Sequence, residues 1–384
     1  MSRWPVVLFF TCATAAFGAE QPPPCLDGTR QSAASVDSLV QSLMTDAQVP
    51  GLGLALIHDG KVRYRKAYGL RNIAANQPLT PDTLMYGASL TKATFAYFVM
   101  QLVDEGRLDL DRSIADYLPK PLPDYPRYAD LRDDERWRRL TYRILLSHTT
   151  GFANFRFLEP DGHLRFHRDP GARYGYSGEG ILLAQFVIEA GLHLDVAAEM
   201  QRRIFTPLGM THSSMVWRED FADNLAQDYT EDGSPYRHRR WQSAGAAGSL
   251  DTTLADWSTF LAAVVRGQGL SGKARADMLG RHVEIDSATQ FPTLQEQRTD
   301  QWKAIGLGYG IGWGVFDTPY GRAFFKEGHD EGTANYALCI ARKRACILML
   351  SNSVRAERIF ATLVQRLLGD VRLPYAWEGY VAPR

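Results

Sequence analysis

Gly87-Ala88-Ser89-Leu90-Thr91-Lys92 sets a serine and a lysine three residues apart at the head of an apolar run. Three residues along a helix return to the same face, so an amine at 92 can approach a hydroxyl at 89. In the run that follows, Ala93, Phe95, Ala96, Phe98, Val99 and Leu102 are apolar nearly all round, and Lys92 is the only charged residue between Asp82 and Asp104. This pattern predicts a buried helix over residues 89–105, ended by Gly106. A lysine in such a helix either carries its ammonium outward along its own stem or sits desolvated with a lowered pKa. In the first case Ser89 is an ordinary helix N-cap. In the second, Lys92 accepts a proton near neutral pH and Ser89 is a candidate nucleophile. The Ser-x-x-Lys spacing alone arises by chance about once in a chain of this length, so its surroundings have to decide.

Upstream of this helix, residues 53–57 and 62–68 are strand-like, and Asp59-Gly60 between them is a hairpin signal. Strand patterns return at 308–316, 323–327, 335–341 and 345–351, before a closing helix at 355–368. The stretch from 110 to 280 is mostly helical, with polar loops such as 120–139, and 284–303 reads as a long polar loop. The expected fold class is α+β. Residues 19–110 and 305–384 build one antiparallel sheet domain, and residues 111–304 form an inserted helical domain.

The 384 residues carry 43 basic and 43 acidic side chains, a formal net charge of zero. No single-sign block points to nucleic acid. Residues 1–18 read as an export signal: Arg3, an apolar run from Trp4 to Phe17, and small residues at Ala16 and Gly18. The run is shorter than the roughly 20 residues of a spanning helix, so no membrane span is expected in the mature chain, and the expected location is periplasmic or secreted. Cys339 and Cys346 flank a hairpin turn at Arg342-Lys343-Arg344 and are either bridged across it or left as two buried thiols; if bridged, Cys25 is unpaired. The cysteine spacings match no zinc site, and His163 and His167 lie in a loop bracketed by Pro160 and Pro170. No cofactor is expected.

Further segments occur in a fixed order: Val49-Pro50-Gly51, Asp82-Thr83-Leu84, Leu145-Leu146-Ser147-His148-Thr149-Thr150-Gly151, Tyr174-Gly175-Tyr176-Ser177-Gly178, Pro207-Leu208-Gly209-Met210, Ala247-Gly248-Ser249-Leu250 with Asp256, and Gly328-His329. With Ser89 and Lys92 they resemble the serine β-lactamase and penicillin-binding protein superfamily, in the branch of class C β-lactamases, D,D-peptidases and related esterases. The resemblance covers almost the whole mature chain. It implies Ser89 as nucleophile, Lys92 as its partner, and Tyr176 as the hydroxyl that shuttles a proton to the leaving group. It gives His148 a structural role.

Two positions depart from the family pattern. Gly178 stands where an Asn often contacts the substrate amide, which leaves more room. The third motif, usually Lys-Thr-Gly or His-x-Gly, is matched to His329-Asp330-Glu331-Gly332. That match gives His329 the cationic position facing a substrate carboxylate. The second oxyanion N–H then falls to Gly332, or to Thr333 if the strand bulges. Glu331 falls where Gly is usual. These changes favour an exported serine hydrolase acting on an ester or amide, with a small-molecule or peptidoglycan-like substrate. The alternatives are a β-lactamase or D,D-carboxypeptidase, or a catalytically impaired peptidoglycan-binding scaffold. An α/β-hydrolase is disfavoured, because neither Ser89 nor Ser177 has a glycine on each side at the required spacing.

Overall fold

The computed structural model describes residues 21–383; the expected export signal lies outside the described residues. In chain order the elements are α1 (Ala33–Ala47), β1 (Gly51–His58), β2 (Lys61–Asn72), β3 (Gln77–Pro78), β4 (Met85–Ala88), α2 (Leu90–Asp104), α3 (Tyr142–Leu146), α4 (Gly178–Leu192), α5 (Val196–Met200), β5 (Asp228–Tyr229), β6 (Pro235–Tyr236), β7 (Leu250–Thr252), α6 (Leu254–Arg266), α7 (Gly272–Met278), β8 (Val283–Glu284), β9 (Gly308–Tyr309), β10 (Gly314–Thr318), β11 (Gly321–Asp330), β12 (Thr333–Ile340), β13 (Ala345–Ser351), α8 (Glu357–Leu367) and α9 (Tyr375–Glu378).

The fold is α+β. Nine antiparallel strands run β3-β2-β1-β13-β12-β11-β10-β9-β8, so the first and last parts of the chain meet at the β1–β13 pair in the middle of the sheet. Every residue of β12 and β13 is buried, because helices cover both faces. Side chains alternate between two apolar clusters. Ala55, Ile57, Ala337 and Cys339 join α2 and α6, whereas Leu54, Leu56, Tyr336 and Leu338 join α1 and α8. The strand expected over 308–316 is two, β9 and β10, folded back through residues 310–313. The stretch 120–139 is not an open polar loop: it winds through short 3-10 turns that bury Leu122, Tyr128, Leu131 and Trp137. The sheet also takes β8 and the covering helix α6 from within residues 111–304.

Two features aim the chain at one point. The short ribbon of β4 and β7 pairs Ala88 with Leu250, which fixes the start of α2 beside the 247–249 segment. β11 outlasts its outer neighbour, since β10 pairs with it only as far as Phe325, so residues 326–330 present a free edge.

Cys339 and Cys346 face each other in the β12–β13 register and are joined in a disulfide, while Cys25 is buried and free. Closing so short a loop constrains the unfolded chain by about 2 to 3 kcal/mol. The double variant C339S/C346S is expected to melt a few degrees lower than the parent and to keep its substrate turnover. A thermal melt beside an activity assay checks this.

Candidate active site

Ser89 is the residue on which α2 begins, yet its side chain makes no capping hydrogen bond. The backbone enters the helix through Ala88 at φ 44°, a left-handed conformation that an alanine rarely adopts and that holds the following hydroxyl outside the helix. Ser89 is half-buried and therefore reachable. Lys92, one turn on, is 1% exposed, and its Nζ lies 2.8 Å from Ser89 Oγ and 2.6 Å from the Ala247 carbonyl oxygen. Burial pulls its pKa well below the lysine range, and the nearby Lys326 adds to the effect. A neutral amine here donates to Ala247 and keeps a lone pair for the serine proton. The geometry excludes both bland readings: Ser89 does not cap, and Lys92 does not reach out to solvent.

Tyr176 completes the cluster. It ends an extended segment just before Ser177, the N-cap of α4, whose Oγ accepts from Gly180 N–H. The Tyr176 ring lies 5.0 Å from both Lys92 Nζ and Lys326 Nζ, and Lys326 Nζ is 3.2 Å from its hydroxyl. Burial first, and Glu327 second, push the phenol pKa well up, while a hydrogen bond with Ser89 works the other way. Tyr176 thus rests as a protonated phenol.

His148 is fully buried at φ 59°, and its Nδ1 accepts from the Ser177 N–H at 3.2 Å. Its ring lies 4.3 Å from that of Tyr176. Burial, then the two lysines, drive its pKa well below the usual imidazole value. It holds the Tyr176–Ser177 turn in place as a neutral wedge.

The sequence expectation for the third motif is displaced by three residues. Gly332 lies in the two-residue turn between β11 and β12 and packs against Asp228 and Tyr236; its carbonyl accepts from Tyr229 N–H. His329 is turned toward α8, with Nδ1 2.8 Å from Glu357 Oε1, and is not directed at the nucleophile. The register of β11 on β12 runs unbroken from Ala323 to Asp330, so there is no bulge, and Thr333 Oγ1 donates to the Ser351 carbonyl. The lysine that does meet the cluster is Lys326, on the face that β11 shares with Phe324 and α2. Gly328, on the same face, is indispensable: a Cβ there would lie 2.6 Å from the Gly87 carbonyl oxygen. Lys326-Glu327-Gly328 therefore occupies the place expected for His329–Gly332. The sequence signal was a lone lysine among the apolar residues of a strand.

Gly178 does not leave open room. A Cβ at that position would meet the Phe155 ring at 2.4 Å, so an aromatic side chain fills the space. The loop over 284–303 also borders the site, through Phe291, whose ring is 5.6 Å from Tyr176, and Gln290, whose Nε2 donates to Glu327 Oε1 at 2.9 Å. Neither Phe155 nor Phe291 was foreseen. A separate cavity of about 870 Å³ is lined by Tyr236 and residues 237–240 among others; one of its lining residues, His238, packs edge-on against Tyr86 at 5.8 Å. Among the described residues no cluster of His, Cys, Asp or Glu could hold a metal ion.

The Beta-lactamase family model matches residues 36–369. The chain is 26% identical over 368 residues to penicillin-binding protein 4 of Amycolatopsis lactamdurans, an alignment that covers 89% of this chain and 92% of that one. It is 29% identical over 255 residues to unguisins hydrolase ungD' of Aspergillus campestris, covering 58% of this chain and 46% of the relative. The octameric penicillin-binding protein homologue from Pyrococcus abyssi superposes with a TM-score of 0.70 at 21% identity, over 90% of this chain and 80% of that chain, a likeness of fold.

Lys92→Met removes the buried amine that lies 2.8 Å from Ser89 Oγ. Labelling of Ser89 by a fluorophosphonate is expected to slow by about 100-fold or more. The Tm near pH 7 is expected to hold or rise, because a desolvated amine is gone. The native amine has a lowered pKa, whereas the unfolded lysine binds a proton until about pH 10.4, so above the lowered native pKa the unfolded state holds the extra proton and wild-type stability climbs with pH toward about 10.4. The Tm advantage of the variant should accordingly be widest near neutral pH and shrink toward about pH 10. A constant advantage would show that Lys92 titrates alike in both states.

Proposed function

The chain belongs to the β-lactamase family, within the serine β-lactamase and penicillin-binding protein superfamily, and on that premise we propose that it hydrolyses an ester or amide through an acyl-enzyme on Ser89. The observation that carries this reading is the 2.8 Å approach of a buried, pKa-depressed Lys92 to a serine hydroxyl that caps nothing. Ser89 Oγ bonds to the substrate carbonyl carbon as its proton passes to Lys92. The carbonyl–oxygen or carbonyl–nitrogen bond of the leaving group breaks as Tyr176 gives that group a proton and is reprotonated from Lys92. Water then attacks the acyl carbon, the bond to Oγ breaks, and the acid departs with Ser89 restored.

The opposed shifts of the two groups divide the work. A depressed amine is the acceptor and an elevated phenol is the donor. One oxyanion donor is the Ser89 N–H, which lies ahead of the helical ladder. The second follows from strand parity. In a hairpin closed by a two-residue turn the closing pair, here Asp330 and Thr333, is hydrogen-bonded, so His329 opposite Ala334 points its N–H outward to the free edge of β11. His329 thus serves through its backbone and not its imidazole. Export is consistent with the Cys339–Cys346 disulfide, which persists in oxidising compartments.

The wild-type chain is expected to gain the mass of a fluorophosphonate adduct on Ser89, and Ser89→Ala to gain none. Tyr176→Phe should lower kcat/KM for a 4-nitrophenyl ester by about 100-fold to 10,000-fold while leaving the melting temperature within a few degrees. An unlabelled wild-type Ser89 would remove the catalytic reading altogether.

A further inference from the structure

Lys326 is the one site lysine that burial does not push far: burial lowers its pKa, and the Glu327 carboxylate beside it works against that. Its ammonium has three N–H donors. The structure supplies three acceptors: Glu327 Oε1 at 2.6 Å, the Glu327 carbonyl at 3.0 Å and the Tyr176 hydroxyl at 3.2 Å. The carboxylate is itself braced, because Gln290 donates to the same Oε1. No donor is left over for a substrate anion, and the charge of the ammonium is cancelled by its neighbour in sequence. Burial lowers the pKa of both Lys92 and His148, and the His329 imidazole is taken by Glu357. Beyond Gly328 the strand ends in Asp330 and the turn after it opens with Glu331, so two acidic residues follow this edge.

The surroundings of the cluster are apolar. Five large hydrophobic side chains are exposed among the described residues, and three of them, Phe157, Leu158 and Phe291, are on the two loops that flank Tyr176. Phe157 is 73% exposed and stacks at 5.1 Å on Phe155, which fills the space over Gly178. Phe291 is 50% exposed and continues the wall from the other side of the tyrosine. Two cations on the loops that carry this rim are already bound, Arg156 to Glu179 at 3.0 Å and Arg168 to Glu296 at 2.9 Å. Exposed aromatic groups gathered at a reactive serine mark a place where an apolar group loses water.

We propose that Glu327 is a built-in counter-ion that blinds the β11 side of the site to carboxylates, and that the substrate is an uncharged ester or amide whose apolar group lies along Phe155, Phe157 and Phe291. This rests on the acyl-enzyme reading of Ser89 and adds the substrate class. A carboxylate brought to β11 would have to break the bond between Lys326 and Glu327, and would leave Glu327 buried without its partner. An aliphatic or aromatic group meets no such cost and covers rings that now face water.

The test compares the full-length protein on two esters that differ by one charge, 4-nitrophenyl butanoate and 3-carboxy-4-nitrophenyl butanoate. Wild type is expected to prefer the neutral ester by about 100-fold in kcat/KM, and Glu327→Gln, which removes the negative charge beside Lys326, to reduce that preference by about 10-fold or more. Glu327→Thr gives a second, smaller replacement should the amide pack poorly. Phe157→Ser combined with Phe291→Ser is expected to raise KM for 4-nitrophenyl octanoate by about 10-fold more than for the acetate. Equal turnover of the two charged and uncharged esters by the wild type would overturn the proposal, as would an unaltered preference in both folded Glu327 variants. Fluorophosphonate labelling separates the two levels: an unlabelled wild-type Ser89 removes the acyl-enzyme reading, whereas a labelled protein without charge preference removes this inference alone.

Discussion

The contact between the Lys92 amine and the Ser89 hydroxyl governs the rest of the architecture, because a lysine in the middle of an apolar helix is tolerable only if something arranges for its charge to be absent. Helix α2 is buried at every residue from Leu90 to Met100, which fixes the amine in a dry setting. The β4–β7 ribbon then supplies the Ala247 carbonyl as its acceptor, and the left-handed turn at Ala88 keeps the serine hydroxyl out of the cap it would otherwise fill. The central placement of the β1–β13 pair has the same purpose at a larger scale. By joining the first and last strands of the chain it lets β11, late in sequence, stand over α2, early in sequence.

Much of this was legible in the residues. The apolar run around Lys92 foretold a buried helix with bounds within a residue of those seen, and the spacing of Ser89 and Lys92 foretold their contact. The hairpin around Cys339 and Cys346 was legible, whereas the choice between a bridge and two free thiols was open until the register set the two residues face to face. Tyr176 is different in kind. Nothing local distinguishes it from Tyr174 two residues earlier, and only the family resemblance singled it out; the structure brings its hydroxyl to Lys326 and its ring to Lys92.

The failures have a common cause. The resemblance matched His329 to the cation of the third motif, although Lys326-Glu327-Gly328 carries the same Lys-x-Gly spacing three residues earlier. Period-two alternation within β11 would have decided the matter: Phe324, Lys326 and Gly328 share the face of α2, and Phe325, Glu327 and His329 share the other. Phe155 and Phe291 were beyond sequence reasoning altogether. Their positions depend on how loops of irregular backbone settle over the sheet, and nothing in their own neighbourhood records that.

Lys326 and Lys92 both lie 5.0 Å from the centre of one aromatic ring, and the two amines are not independent. Lys326 lowers the pKa of Lys92, and Glu327 raises it. A bare ammonium at 326 would press Lys92 further toward neutrality and would also draw anions to the site; with Glu327 present, both effects are moderated by the same carboxylate. A second buried acid, Glu378, lies in the field of the first: burial and then Glu327 push its pKa well up, and its Oε2 accepts from the Tyr336 hydroxyl at 3.1 Å. Its neutral form lets the fold keep a lone carboxylate opposite Lys326 without stacking two negative charges in the interior. The site thus holds one ion pair amid neutral acids and amines. That balance leaves Lys92 free to receive a proton and leaves Lys326 with its charge spent inside the protein.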